Sequence, residues 1–280
     1  MPMRLLKIGS AALAAVAAVL FAVSIVVDFV GRDTTLPEIT AGSDTLEIPC
    51  DYTQEQLLEG VSASDERDGD LTSQILVGDF SRFIDPGICD LTYVVFDSAD
   101  HMATLTRRVT FSDYHSPRFA LEQPLCFEAG STNNTEVRAM FTVEDMLDGD
   151  LTDWITYVET DASYYSIPGD YTITLEVRNS FGDTVSYDFP IHIVEEDSLT
   201  AEIRLTSGLV YVEQGQSFSP TAYVDSVTGA LGEALASSLL TVDSTVDTST
   251  PGLYEVHYEL NQAGSYGQTW LTVIVQEAAG

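Results

Sequence analysis

An internal repeat of about eighty residues constrains this chain more than any other feature of its sequence. Asp68-Gly69-Asp70-Leu71-Thr72 returns 80 residues later as Asp148-Gly149-Asp150-Leu151-Thr152. Pro86-Gly87 returns as Pro168-Gly169 and again as Pro251-Gly252, at steps of 82 and 83. Self-similarity at a fixed period means that one folding unit has been copied along the chain. Behind each Pro-Gly, apolar and polar residues alternate. Cys89, Leu91, Tyr93 and Val95 share one face in the first copy, and Tyr171, Ile173, Leu175 and Val177 in the second. Tyr254, Val256, Tyr258 and Leu260 share a face in the third. Period-two alternation marks a strand with one buried and one wet side.

Each of these strands runs into a turn rich in Asn, Asp, Gly and Ser: residues 97–101, 179–183 and 261–265. Such residues tolerate the backbone conformations that hairpins require. Return strands are expected over 103–111, 184–194 and 269–275. Short strands, frequent turns and little helical periodicity predict an all-β chain of sandwiches of roughly 80 residues each. Polar breaks near Asp113–Ser116 and Glu195–Ser198 place three domains at residues 31–113, 114–196 and 197–280.

These motifs carry a family resemblance. The series Asp68–Thr72, Pro86-Gly87, Tyr93, Asp97 and Ala103 resembles the bacterial immunoglobulin-like repeat of pesticidal crystal proteins and many bacterial surface proteins. The second copy matches through Asp148–Thr152 and Pro168-Gly169-Asp170-Tyr171, and the third through Pro251–Tyr258 and Gly264. The first copy departs from the pattern at Cys89, where the family has Tyr, and at Asp100-His101, where it has Gly-Asn. The resemblance implies tandem immunoglobulin-like β-sandwiches in a surface or extracellular setting, and it brings no catalytic residues with it.

Ahead of the repeats, Ile8 to Val27 is a run of 20 residues without a charge. As a helix rising about 1.5 Å per residue, it matches the roughly 30 Å hydrocarbon core of a bilayer. Arg4 and Lys7 precede it, whereas Asp28, Arg32 and Asp33 follow. The positive-inside rule then makes residues 1–30 a cytoplasmic stub and transmembrane signal-anchor, with the rest outside the cell. The alternative is a cleaved signal peptide and a secreted chain. Its apolar region would be about 7–15 residues long and end at a small-residue site, whereas here Ile25-Val26-Val27 extend the run past Ser24.

Charge narrows the function classes. Forty-four Asp and Glu against 11 Lys and Arg give a net charge of −33. Binding nucleic acid needs Lys and Arg to displace counterions from phosphates, so that role is excluded. Acidity of this kind keeps an exported surface soluble and self-repelling; attraction of divalent cations or basic partners is the alternative. Lys7 is the only lysine, so no Lys–Asn isopeptide bond can staple the repeats.

Four candidate features remain. The Asp-Gly-Asp turns, with Asp65, Asp68 and Asp70 in one copy and Glu144, Asp145, Asp148 and Asp150 in the other, offer oxygens of the kind Ca²⁺ takes. A tight turn with Asp side chains capping the backbone is the plainer reading, and no complete calcium-loop pattern is present; apart from this Ca²⁺ candidate, no cofactor is expected. Cys50 and Cys89 form a candidate disulfide, which would close a loop of about 40 residues and add about 3–4 kcal/mol, leaving Cys126 as a buried hydrophobe. Trp154 is expected to face outward, with Tyr164 and Tyr165 near it in sequence; it is a candidate contact for a sugar or a protein, or for a neighbouring domain. His101, His115, His192 and His257 are scattered without metal-ligand spacing, and no nucleophile-elbow, zincin or phosphate-loop motif occurs.

The expectation is a non-enzymatic ectodomain acting in adhesion, binding or spacing, with an unidentified extracellular protein or glycan as partner. A carbohydrate-binding surface module and a structural subunit of an envelope assembly are the alternatives.

Overall fold

The computed structural model describes residues 16–25, 33–158, 165–262 and 264–277. Residues 16–25 form a helix, α1, inside the Ile8–Val27 run; the rest of that run and Ala263 of the third turn lie outside the described residues. Among the described residues no helix is long and apolar enough to cross a membrane. The chain beyond α1 is built mainly of strands, and its described residues fall into two compact units: one from Met1–Ser81 and Ile88–Ser112, the other from Arg82–Gly87 and Asp113–Gly280.

The first unit holds two sheets. β1 (Glu38–Ala41), β3 (Val61–Asp65) and β4 (Gly69–Asp70) form one, in the order β1-β3-β4. β2 (Thr45–Ile48), β5 (Leu76–Phe80), β6 (Ile88–Phe96) and β7 (Met102–Phe111) form the other, in the order β2-β7-β6-β5. β6 and β7 pair antiparallel, with Cys89 opposite Val109 and Tyr93 opposite Leu105, while β2 joins the outer side of β7 in parallel. The alternation reads out as expected: Cys89, Leu91, Tyr93 and Val95 are all fully buried. Burying an aliphatic or aromatic side chain of this size stabilises by about 1.5–3 kcal/mol.

The second unit contains the same two-sheet layout twice. β8 (Arg118–Leu121), β10 (Phe141–Asp145) and β11 (Gly149–Asp150) make a three-stranded sheet. Against it lies the sheet of β12 (Thr156–Val158), β13 (Gly169–Arg178), β14 (Thr184–Val194) and β9 (Cys126–Glu128), in which β9 again pairs parallel to the last strand. The third copy places β15 (Glu202–Leu205), β17 (Val224–Thr228) and β18 (Ala234–Leu235) in one sheet. β16 (Leu209–Glu213), β21 (Ser265–Gln276), β20 (Gly252–Gln262) and β19 (Thr241–Ser244) form the other. β16 runs parallel to β21, as β2 does to β7.

Copies two and three, expected as separate domains 114–196 and 197–280, belong to a single compact unit. Leu209 and Ile274 of the third copy pack into the core built by Phe119, Phe141, Phe189, Ile173 and Leu175 of the second. The third copy keeps a core of its own around Val256, Tyr258, Leu260, Leu271 and Val273.

In each copy a tyrosine hydroxyl ties a short helical turn to the core. Tyr93 donates to the Leu57 carbonyl at the end of α2 (Gln54–Leu57), at 2.6 Å. Tyr258 donates to the Pro220 carbonyl at 2.8 Å. In the second copy Leu175 occupies the matching strand position. Tyr165 does the work there, donating to Asn134 at the start of α3 (Asn134–Arg138), at 2.9 Å.

Candidate functional site

The Asp-Gly-Asp-Leu-Thr motif forms a hydrogen-bonded corner built identically in the first two copies. Asp65 Oδ1 accepts from the backbone N–H of Arg67 and Asp68, at 2.7 and 3.0 Å, and Asp145 Oδ1 does the same for Leu147 and Asp148, both at 2.9 Å. Gly69 and Gly149 turn the chain at φ +78° and +73°, a region that glycine enters without steric cost. Asp70 and Asp150 each accept from the N–H of the motif threonine at 2.9 Å. Those threonines, Thr72 and Thr152, then accept from Ala63 and Val143 on the neighbouring strand, both at 3.1 Å. Asp68 reaches across to the following hairpin turn, where Ser98 donates through N–H at 2.6 Å and through Oγ at 2.9 Å. Asp148 holds Ser180 in the same way, at 2.6 and 2.8 Å. Turn chemistry accounts for most of the acidic side chains that the sequence offered as oxygen donors.

One atom separates the two corners. In the second copy Asn179 Nδ2 donates to Asp145 Oδ2 at 3.1 Å, and to the Tyr114 hydroxyl at 2.9 Å. The first copy has Asp97 at that place. Its Oδ1 accepts from the N–H of Ala99 and His101, and its Oδ2 lies 2.7 Å from His101 Nδ1. No amide is there to meet Asp65, and Asp65 Oδ2 is buried without a hydrogen-bond partner. Asp33, just ahead of β1, has an equally buried and unpartnered Oδ2. Its carboxyl is held below the usual range by the Thr35 hydroxyl and N–H, with Arg67 and His101 adding to the effect. The hydrogen bond that the ring donates to the Asp97 carboxylate raises His101 above the usual imidazole range. The sequence reading grouped Asp65 with Asp68 and Asp70 and missed Asp33, which lies 32 residues ahead of Asp65 and reaches the corner only through the fold.

Trp154 stands where outward exposure was expected, 71% exposed, while Leu151 and Ile155 beside it are buried. The local structure is a 3-10 turn, Thr152–Trp154. Tyr165 does not accompany it, being fully buried in the core of the second copy; Tyr164 lies outside the described residues. Ile167 is a second exposed apolar side chain in this copy.

The three cysteines are thiols, so the expected Cys50–Cys89 bridge is absent. The expectation was that the strand leading to Cys50 ends near the pole where the strand of Cys89 begins. In the structure β2, which leads to Cys50, lies in the same sheet as β6, which carries Cys89, and β7 runs between them. Burial raises the Cys89 thiol to about 11 and that of Cys126 to about 12, which keeps both protonated and inert.

The second unit holds a cluster that the sequence did not announce. His192 on β14 lies between Asp170 Oδ1, at 2.8 Å, and Glu255 Oε1, at 2.7 Å. Its ring stacks on Trp270 at 4.0 Å between centroids, and His257 stacks on Trp270 at 4.3 Å. Glu255, His257 and Trp270 sit on the face of β20 and β21 opposite the core, which the alternation marked as solvent-facing. A neighbouring copy covers part of that face, and no local pattern reveals it. Elsewhere in the second unit, Arg118, Phe119, Glu144, Thr152 and Tyr211 border an open groove of about 810 Å³, in which Tyr211 accepts from the Phe119 N–H at 2.8 Å.

No family model matches the chain. It is 28% identical to the pesticidal crystal protein Cry22Aa of Bacillus thuringiensis over 222 residues, which is 76% of this chain and 29% of that protein. It is also 28% identical over 139 residues to an uncharacterized 81.3 kDa protein of Acholeplasma phage L2, covering 49% of this chain and 19% of that one. Among solved structures, the CBM51-2 and INT domains of ZmpB from Clostridium perfringens, in complex with GlcNAc, align at 14% identity with a TM-score of 0.23, over 54% of this chain and 26% of that one. The lipoprotein BT2262 from Bacteroides thetaiotaomicron aligns at 11% identity with a TM-score of 0.21, over 85% of this chain and 99% of that one. The chain is thus similar to Cry22Aa over most of its own length and spans less than a third of the length of the curated relatives it matches.

Proposed function

We propose that residues 31–280 are an exported, non-enzymatic ectodomain: a tandem of immunoglobulin-like modules that binds or spaces outside the membrane, tethered by the Ile8–Val27 run. The supporting observation is the threefold use of one layout, a three-stranded sheet against a four-stranded sheet whose outermost strand runs parallel to the last. Seven short strands in two sheets are the arrangement of immunoglobulin-like sandwiches. The polar motifs repeated with that layout are engaged in holding corners, so recognition falls to side chains that differ between copies. The charge of −33 suits a chain that stays soluble outside the cell and does not self-associate. A chain released by cleavage would keep the same modules without the tether.

Trp154 favours a glycan as the partner over an unspecified protein surface. A large aromatic ring, exposed on a rigid 3-10 turn whose neighbours are locked in the core, is a stacking platform for the apolar face of a sugar. Gln74 takes that place in the first copy, so the platform belongs to the second copy. A glycan array probed with the detergent-solubilised full chain tests this reading, with Trp154→Ala as control. The expected result is a glycan hit weakened about tenfold or more, equivalent to at least ~1.4 kcal/mol, with the melting temperature unchanged. An array without any hit removes the glycan reading and leaves adhesion to protein, spacing or assembly into an envelope structure.

A further inference from the structure

We infer that the acidic corner of the first copy is a binding site for a hard divalent cation, Ca²⁺, held by Asp33, Asp65 and Asp68. One carboxylate oxygen from each lies within 4.8 Å of the other two. Oxygens on a common Ca²⁺, bound at about 2.3–2.6 Å, sit no more than about 5 Å apart, so a single ion fits all three. The donors are all carboxylate oxygens, the chemistry of a hard cation and not of a thiolate- or imidazole-seeking metal.

Burial supplies an independent observation. The Asp33 side chain is 4% exposed and Asp65 is 6% exposed, yet Oδ2 of each has no hydrogen-bond partner. An ionised carboxylate oxygen removed from water and left unmatched is strongly unfavourable. Arg67 offers partial relief only: its Nε is 3.9 Å from Asp33 Oδ2, too far to donate, on a half-exposed side chain. Meanwhile the other oxygens are fixed. Asp33 Oδ1 accepts from Thr35 N–H at 2.9 Å and from Thr35 Oγ1 at 2.6 Å. Asp65 Oδ1 takes the two backbone bonds of the turn and lies 3.2 Å from Thr35 Oγ1, whose proton goes to Asp33. Both carboxylates are locked with one oxygen left over, and Ser98 steadies Asp68 beside them. The half-buried Asp68 leaves an open side, through which water can complete the six to eight ligands that Ca²⁺ takes.

The second copy is the internal control. It has the same turn and the same serine clamp, but Asn179 Nδ2 fills the place of the cation by donating to Asp145 Oδ2. Replacing that amide with the Asp97 carboxylate removes a donor and adds negative charge, and both changes favour a cation.

Calorimetric titration of the purified full chain with CaCl₂, paired with melts in Ca²⁺, in Mg²⁺ and in EDTA, tests the assignment. The expected result is a saturable site for one Ca²⁺ per chain and a melting temperature at least about 4 °C higher in excess Ca²⁺ than in EDTA. Asp33→Asn abolishes both, and Asp145→Asn changes neither titration nor calcium response. Asp97→Asn supplies the missing amide, so it loses the calcium response while melting in EDTA no lower than wild type. Absence of binding heat together with melts identical in Ca²⁺, Mg²⁺ and EDTA overturns the site. Wild-type Ca²⁺ affinity in Asp33→Asn overturns the ligand set, and equal response to Mg²⁺ overturns the choice of ion.

Discussion

His192 is buried on β14 with a carboxylate at each ring nitrogen, Asp170 from β13 and Glu255 from β20. Burial pushes its pKa down, the hydrogen bonds and charges of Glu255 and Asp170 push it up, and the net direction is upward. Trp270 covers one ring face, and Glu195, Ser198, Tyr266 and Gln268 border the same pocket, with His257 beyond Trp270. A raised folded-state pKa means that the imidazolium is favoured by folding. Its stabilisation is fully present below the unfolded value of about 6.5 and is lost as pH rises through the folded value. Melts of wild type and His192→Gln should therefore differ most near pH 6, by about 2–4 °C, and converge at alkaline pH. A gap that widens with pH would contradict this sign. Arg107 is a second residue whose role depends on the fold. It is buried where Phe189 and Leu271 stand in the other copies, and it donates to the carbonyls of Ser43, Glu59 and Thr45 at 2.9, 2.9 and 3.0 Å. The alternation of Ala103, Leu105, Val109 and Phe111 puts it on the apolar face, whereas Arg108, on the other face, pairs with Asp90 at the surface.

Among the elements, the loop that opens β16 carries the tightest constraint. Gly208 donates to the Leu121 carbonyl at 2.8 Å and accepts from Thr272 N–H at 3.0 Å, and a Cβ there would run into the Gln123 carbonyl. Gly208→Ala forces backbone apart between the second and third copies, and it should destabilise the second unit by about 1–3 kcal/mol. Urea denaturation measures this, and a midpoint equal to wild type would show that the loop adjusts freely. The β-hairpins were the most legible elements. Burial alone fixes a period of two, so Leu91, Ile173 and Val256 announced their faces, and the return strands ended within a few residues of their expected limits. Less legible were elements set by distant chain. β2, β9 and β16 join their sheets in parallel through partners some 60 residues away, and a four- or five-residue strand carries no sign of its partner. Trp154 was placed correctly because the buried Leu151 and Ile155 flank its turn on both sides. At the acidic corner the motif was visible, but Asp33 was not, because it belongs to no repeat of the pattern.

At the scale of the whole molecule, function rests on where the repeats stand. Forty-four acidic residues repel phosphate-bearing partners and one another, which suits a surface facing open solvent. One copied module with corners closed by its own Asp, Thr and Ser side chains supports the proposal of a chain that presents surfaces. The proposed direction of export rests on the order of charge around Ile8–Val27: Arg4 and Lys7 on one side, the acidic repeats on the other. Protease treatment of intact cells expressing the full chain, or of spheroplasts where an outer membrane intervenes, tests that placement most directly. Export with an N-terminal tether predicts that the repeats are cleaved without lysis while only a short membrane-associated fragment survives. Full-length chain that resists protease until the cells are lysed would contradict it.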